Sequence, residues 1–110
     1  MYTFPSISVA GVNADKRHAS YLKDLMQRSL EGENIDLDVI VFPEPENPYD
    51  KNAIKVEINN SSVGYIPKKE QYHFERFDFS KCKKLQAKVL SWGVGKDESV
   101  FLNIQPYVSE

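Results

Sequence analysis

The stretch Phe42-Pro43-Glu44-Pro45-Glu46-Asn47-Pro48-Tyr49-Asp50-Lys51-Asn52-Ala53-Ile54-Lys55-Val56-Glu57-Ile58-Asn59-Asn60-Ser61-Ser62-Val63-Gly64-Tyr65-Ile66-Pro67-Lys68-Lys69 decides the fold. From Ala53 to Ile58 the chain alternates, which puts Ile54, Val56 and Ile58 on one face of a strand and Lys55 and Glu57 on the other. Asn59-Asn60-Ser61 has the composition of a hairpin turn, and residues 62–66 read as the returning strand. Pro67 then opens a short helix ending near Phe74, because its fixed φ and missing N–H suit a first helical position. Upstream, Pro43 and Pro45 stop the preceding strand, and Asn47-Pro48-Tyr49-Asp50 has the chemistry of a loop.

Working outward, residues 35–42 are rich in β-branched side chains and read as a strand, and residues 6–11 alternate as a half-buried one. Between them the period changes. Tyr21, Leu22, Leu25, Met26 and Leu30 recur at three- and four-residue spacing, which predicts an amphipathic helix over residues 14–31. Asn13 or Asp15 can cap its start, and Gly32 suits the position past its end. Residues 84–92 and 99–107 form a last strand pair around a turn at 93–97. The expected fold is mainly β with two helices (α+β): a small six-stranded antiparallel barrel, OB- or SH3-like. One amphipathic helix follows the first strand, and a short helix follows Gly64-Tyr65-Ile66-Pro67. With no internal repeat or linker, residues 1–110 are expected to form a single domain.

Composition sets the outer bounds. A chain of 110 residues with 41% hydrophobic and 27% charged residues is ordinary for a globular protein, which argues against disorder. No apolar run approaches the roughly 20 residues of a membrane span. The start, Met1-Tyr2-Thr3-Phe4-Pro5, lacks the pattern of a signal peptide. Cys82 is the sole cysteine, so neither an intramolecular disulfide nor a two-thiol metal site can be built, and the chain suits a reducing cytoplasm. The net charge of −2 argues against a general nucleic-acid coat. Its distribution is uneven: residues 1–50 hold four basic and nine acidic residues, residues 51–110 ten basic and seven acidic. An electropositive face is therefore compatible with the acidic total.

The segment Glu44-Pro45-Glu46-Asn47-Pro48-Tyr49-Asp50-Lys51-Asn52-Ala53-Ile54-Lys55-Val56, followed by Gly64-Tyr65-Ile66-Pro67, resembles the signature of the HIRAN domain family. Val9-Ala10-Gly11-Val12 is similar to the family's first strand, so the resemblance covers roughly residues 6–105. It implies an OB-like barrel that binds DNA, in the best understood member by gripping the 3′-hydroxyl end of a single strand. That member has an arginine and aromatics directly after the first-strand glycine. Here Gly11 is followed by Val12-Asn13-Ala14-Asp15, and Arg17, His18 or Tyr21 on the helix are the candidates to stand in. The chain is similar to the family's standalone bacterial or phage-type members.

By this resemblance the nucleic-acid site comprises Asn47, Tyr49, Asp50 and Asn52, with Tyr65 from the neighbouring strand. A tyrosine face can stack on a terminal base for about 1–3 kcal/mol with little regard to sequence. The Asp50 carboxylate can accept a hydrogen bond from a terminal hydroxyl and would repel a terminal phosphate. Lys51, Lys55, Lys68 and Lys69 can neutralise backbone phosphates. A structural reading stands beside each role. Asp50 can bond loop amides, Tyr49 can cover a barrel end, Asn52 can start the strand, Tyr65 can pack across strands, and the lysines can simply be solvated. Trp92 can cap the core or add a stacking surface.

Catalytic and metal signatures are missing from the sequence. His18 and His73 have no ligand pattern around them, so no metal or other cofactor is expected. The scatter of Asp50, Lys55 and Glu57 lacks the acid-x-lysine order of a nuclease, and there is no phosphate loop or nucleophile elbow. The expectation is a non-enzymatic module that binds single-stranded DNA or its 3′ end in repair, replication or phage-related processes. The alternative is a protein-interaction module docking onto a helicase, nuclease or repressor; a small metal-dependent nuclease is a further, weaker one. No membrane partner is expected.

Overall fold

The computed structural model describes residues 2–81 and 83–108. Met1, Cys82, Ser109 and Glu110 lie outside these, so the readings that fell on Met1 and Cys82 lie outside the described residues. Along the chain the elements are β1 (Tyr2–Thr3), β2 (Ile7–Ser8), α1 (Lys16–Leu30), β3 (Val39–Pro43), β4 (Ile54–Ile58), β5 (Ser61–Tyr65), β6 (Leu85–Val94) and β7 (Val100–Val108). A 3₁₀ helix, Lys68–Phe74, joins β5 to β6.

The hairpin of β4 and β5 forms as its sequence dictates. Asn59 and Asn60 have φ of 50° and 70° and connect the paired residues Ile58 and Ser61. A two-residue turn of this hand matches strand twist, and asparagine tolerates positive φ better than most residues. A bulge between Val56 and Glu57 leaves Val63 as the extra residue of β5. The antiparallel sheet runs β1-β7-β6-β3-β4-β5, with β2 also on β7.

The segment after β2 closes this sheet. Ile7 and Ser8 pair with Ile104 and Asn103, and the Val9 amide donates to the Leu102 carbonyl at 2.9 Å. One residue later, Ala10 and Tyr65 exchange two backbone hydrogen bonds, of 2.8 and 2.9 Å. One extended segment thus spans β7 and β5, and the sheet becomes a barrel. The approach requires Gly64: a Cβ there would lie 2.3 Å from the Ala10 oxygen and 2.8 Å from Val9 Cγ1.

Inward-facing residues fill the barrel. Val39, Val41, Val56, Ile58, Val63, Leu85, Leu102 and Ile104 are buried in alternation with outward neighbours. From α1, Leu22, Leu25 and Met26 join this core, and the helix packs on β5, β6 and β7. Burying each such side chain stabilises the fold by about 1.5–3 kcal/mol. Asp15 caps α1 by accepting from the Arg17 amide. Asn13, the other capping candidate, instead pairs through its side-chain amide with both the N–H and the carbonyl of Val100, each at 2.8 Å. Gly32 follows the C-cap with φ of 89°, and the amides of Gly32 and Glu33 donate to the carbonyls of Ser29 and Arg28.

Three expectations need correction. The sheet has seven strands, not six; the addition is the two-residue β1, whose pairing with Tyr107 and Val108 leaves no periodic trace. The strand expected at 35–42 begins only at Val39 and includes Pro43. The Asn59 side chain accepts from the Asp38 amide and donates to the Asp36 carbonyl, holding residues 36–38 out of the sheet. Pro43 is tolerated because the Glu44 amide, not its own nitrogen, faces β4 through Ala53, and β6 pairs β3 only as far as Val41. Leu30, expected on the apolar helix face, is 82% exposed at the final helical position.

Candidate nucleic-acid interface

Three chain segments meet around a groove of about 820 Å³: the start of α1, the loop after β3, and the outward face of β4 and β5. The loop is built by side chains bonding their own neighbourhood. Asn47 Oδ1 accepts from the amides of Tyr49 and Asp50, at 2.9 and 3.0 Å. The Asn47 amide donates to the Glu44 carbonyl, and Pro48 fixes φ within the turn. The loop is thereby ordered without burying Tyr49, whose ring is 95% exposed.

Glu44 is the hub of the groove floor. Its Oε1 accepts from Asn47 Nδ2 at 2.8 Å and from the Tyr65 hydroxyl at 2.9 Å. Its Oε2 lies 3.2 Å from Lys55 Nζ, which also reaches Glu57 at 3.9 Å. Burial pushes the Glu44 carboxyl up, but the hydrogen bonds from Asn47, Tyr65 and Lys55 outweigh it and hold the group below the usual glutamate range. Burial, and then the bond to Glu44, push the Tyr65 phenol above its ordinary value. The two tyrosines therefore differ in kind: Tyr65 is fixed by its hydroxyl, and Tyr49 is free.

The opposite wall comes from α1. Asp15 accepts two side-chain hydrogen bonds from Arg17, at 2.9 and 3.2 Å. With the Arg17 amide bond added, these hold the Asp15 carboxyl at about 2. The Arg17 side chain is nonetheless 90% exposed, and the pairing uses only part of a guanidinium that has five N–H donors. His18 is half-buried behind it. Its Nδ1 lies 3.1 Å from the Gly11 carbonyl, which can only accept, so Nδ1 carries the proton and Nε2 meets Ser62 Oγ at 3.2 Å. Gly11 makes the turn into this wall, with φ of 80°.

The nine residues expected to form the site divide among four places. Asn47, Tyr49, Lys55 and Tyr65 converge on the groove, although Lys55 is engaged by two carboxylates. Asp50 and Lys68 line an adjoining recess of about 300 Å³ that also touches Asn47, Tyr49 and Tyr65. Asp50 is tied into the structure: Oδ2 accepts from Gln71 Nε2 and Oδ1 from the Asn52 amide, both at 2.9 Å. Those bonds, Gln71 first, hold its carboxyl below the usual aspartate range, and Lys68 adds to the effect. Lys51 and Asn52 face a separate recess with Gln71, Phe74 and Phe79, and Lys69 stands exposed on the 3₁₀ helix. Trp92 packs against the core.

Sequence reasoning missed Glu44, and it left Arg17, His18 and Tyr21 as stand-ins rather than members of the site. All three line the groove, and the Tyr21 hydroxyl donates to the Ile58 carbonyl at 3.0 Å. Little in the sequence marks Glu44 as a hub: Asn47 is a local partner three residues on, but Lys55 and Tyr65 meet it only through strand register. Among the described residues, no three His, Cys, Asp or Glu side chains are grouped to hold a metal ion. Nor, among these residues, is any helix long and apolar enough to cross a membrane.

Comparison with known proteins gives one finding. No curated protein and no solved structure matches the chain. The family model described as the HIRAN domain matches residues 16–92, from the first residue of α1 into β6. That span is more than half of the chain and holds the loop, the hairpin and the helical wall around the groove, so the chain belongs to the HIRAN domain family.

Proposed function

We propose that this chain binds single-stranded DNA, with the 3′ end of the strand lying in the groove between α1 and the loop that carries Tyr49. HIRAN domains are generally DNA-binding modules, which supplies the class of ligand. One observation carries the reading: Tyr49 presents a 95% exposed aromatic ring from a loop ordered by hydrogen bonds, beside a groove of about 820 Å³. An exposed ring on an ordered loop is a stacking platform that loses little entropy when a base lands on it. Arg17 keeps donors for a phosphate on the opposite wall. Asp50, ionised at neutral pH, keeps lone pairs that can accept from a terminal hydroxyl and would repel a terminal phosphate. Lys51, Lys68 and Lys69 serve phosphates further along, and Asn52 orients Asp50 through its amide. The module acts in DNA repair, replication or a phage-related process, and binds without catalysing a reaction.

The test is fluorescence anisotropy with short single strands ending in a 3′-hydroxyl or a 3′-phosphate, at about 50 mM salt, where phosphate contacts are strong. Preference for the hydroxyl, lost in Asp50→Asn, is the expected result. Equal binding of both ends discards end reading while keeping DNA binding. No binding of either strand discards the proposal in favour of a second reading, a protein-docking module. That reading has its own observation: Leu30, 82% exposed, faces Trp92 and Val94 across a recess of about 460 Å³ on the far side of α1.

A further inference from the structure

We propose that a single strand seated in the groove continues across the outer face of the barrel, over β4, β3, β6 and β7; the inference rests on the DNA-binding reading of the groove. The register defines the path. Tyr65 pairs with Lys55, and Lys55 with Phe42. Glu57 pairs with Ile40, Ile40 with Gln86, and Gln86 with Tyr107. Lys88 follows on the same face, opposite Gln105. The in-between residues Val39, Val41, Val56, Leu85 and Ala87 are buried, so strand alternation turns this whole set outward.

The outward set has a composition that barrel packing does not need. Ile40 and Phe42 are half-buried hydrophobics that, among the described residues, do not join the core cluster. Tyr107 is half-buried at the far end of the row, and Lys88 is exposed beside it. Aromatic faces interleaved with cations on a sheet are what a sequence-tolerant single-strand platform requires, rings for bases and lysines for phosphates. Two features commit the surface to a polyanion rather than another partner. On the face itself Lys55 is paired with Glu57 and Lys88 stands exposed, and residues 68–88, the segment that runs into β6, hold seven basic and three acidic residues in a chain of net charge −2. The row is also continuous with the groove, since Lys55 and Tyr65 belong to both. From β4 to β7 it spans three strand spacings, about 14 Å, room for a few nucleotides beyond the groove.

The experiment compares four- and twelve-nucleotide oligothymidylates by anisotropy across a salt series, with wild type, Lys88→Glu and Lys88→Gln. Affinity alone is ambiguous, because a longer strand offers more registers; the slope of log affinity against log salt is not, because it counts phosphates neutralised. The longer strand should show a slope steeper by about 0.7 for each additional contact, and either Lys88 variant should remove about 0.7 from it while leaving the shorter strand unchanged. Equal slopes for the two lengths, or Lys88 variants that act equally on both, overturn the outer path and leave the groove standing. Failure of both lengths to bind overturns the groove reading as well.

Discussion

Replacing Gly64 with alanine tests how the barrel closes and how the groove is built. The added Cβ would sit 2.3 Å from the Ala10 carbonyl oxygen and 2.8 Å from Val9 Cγ1, at a backbone φ of 153°. Overpacking of this kind costs about 1–3 kcal/mol, and an L side chain at such a φ a comparable amount. If Ala10 retreats, its two hydrogen bonds to Tyr65 are lost as well, at about 1 kcal/mol each. These costs overlap, so the expected total is about 3–5 kcal/mol, a large share of the roughly 5–15 kcal/mol that stabilises a domain. At about 4 °C per kcal/mol, Tm should fall by about 12–20 °C. Urea unfolding followed by Trp92 fluorescence gives the same quantity at constant temperature. Gly32→Ala is the control: φ there is 89° with nothing within 4 Å of the added Cβ, so it carries backbone strain alone, about 1 kcal/mol. A Gly64→Ala loss no larger than that of Gly32→Ala would refute closure through the Ala10–Tyr65 contact.

Other expectations follow from the same geometry. Tyr49→Ala should leave stability within about 0.5 kcal/mol but weaken single-strand binding by about 1–3 kcal/mol, read by thermal melting and anisotropy on the same samples. Asn13→Ala removes both bonds to Val100 and should cost about 2 kcal/mol in chemical denaturation, although residue 13 is only a loop position in sequence. Glu44 has a folded-state pKa below its unfolded value, so its contribution is fully present above the usual glutamate range and is lost as pH falls through the folded value. Glu44→Gln should therefore be less stable than wild type at neutral pH, with the gap closing on acidification, as a pH series of melts would show.

How much of this was legible depended on whether a partner lay nearby in sequence. The β4–β5 hairpin was legible because Ile54, Val56 and Ile58 alternate and two asparagines supply the turn. Helix α1 was legible from the spacing of Leu22, Leu25 and Met26, and its cap from Asp15. The strand β1 and the late start of β3 were not, because one rests on pairing with the opposite end of the chain and the other on a side chain twenty-odd residues away. The site divides in the same way. The Asn47-Pro48-Tyr49-Asp50 turn announces itself through its local bonds, and Tyr65 reached the site through its place in the returning strand. The role of Glu44 and the wall formed by Arg17 and His18 needed the barrel to exist first. Lys51 and Asn52, one and two residues after Asp50, line a different recess with Gln71, Phe74 and Phe79, which sequence proximity alone does not reveal.

The most direct test of the central claim is backbone amide NMR during titration with a short 3′-hydroxyl single strand. The account predicts that the largest shift changes map to Arg17, His18, Asn47, Tyr49, Asp50 and Tyr65, around the groove and the recess beside it. Changes centred on Leu30, Trp92 and Val94, or no changes at saturating DNA, would contradict it.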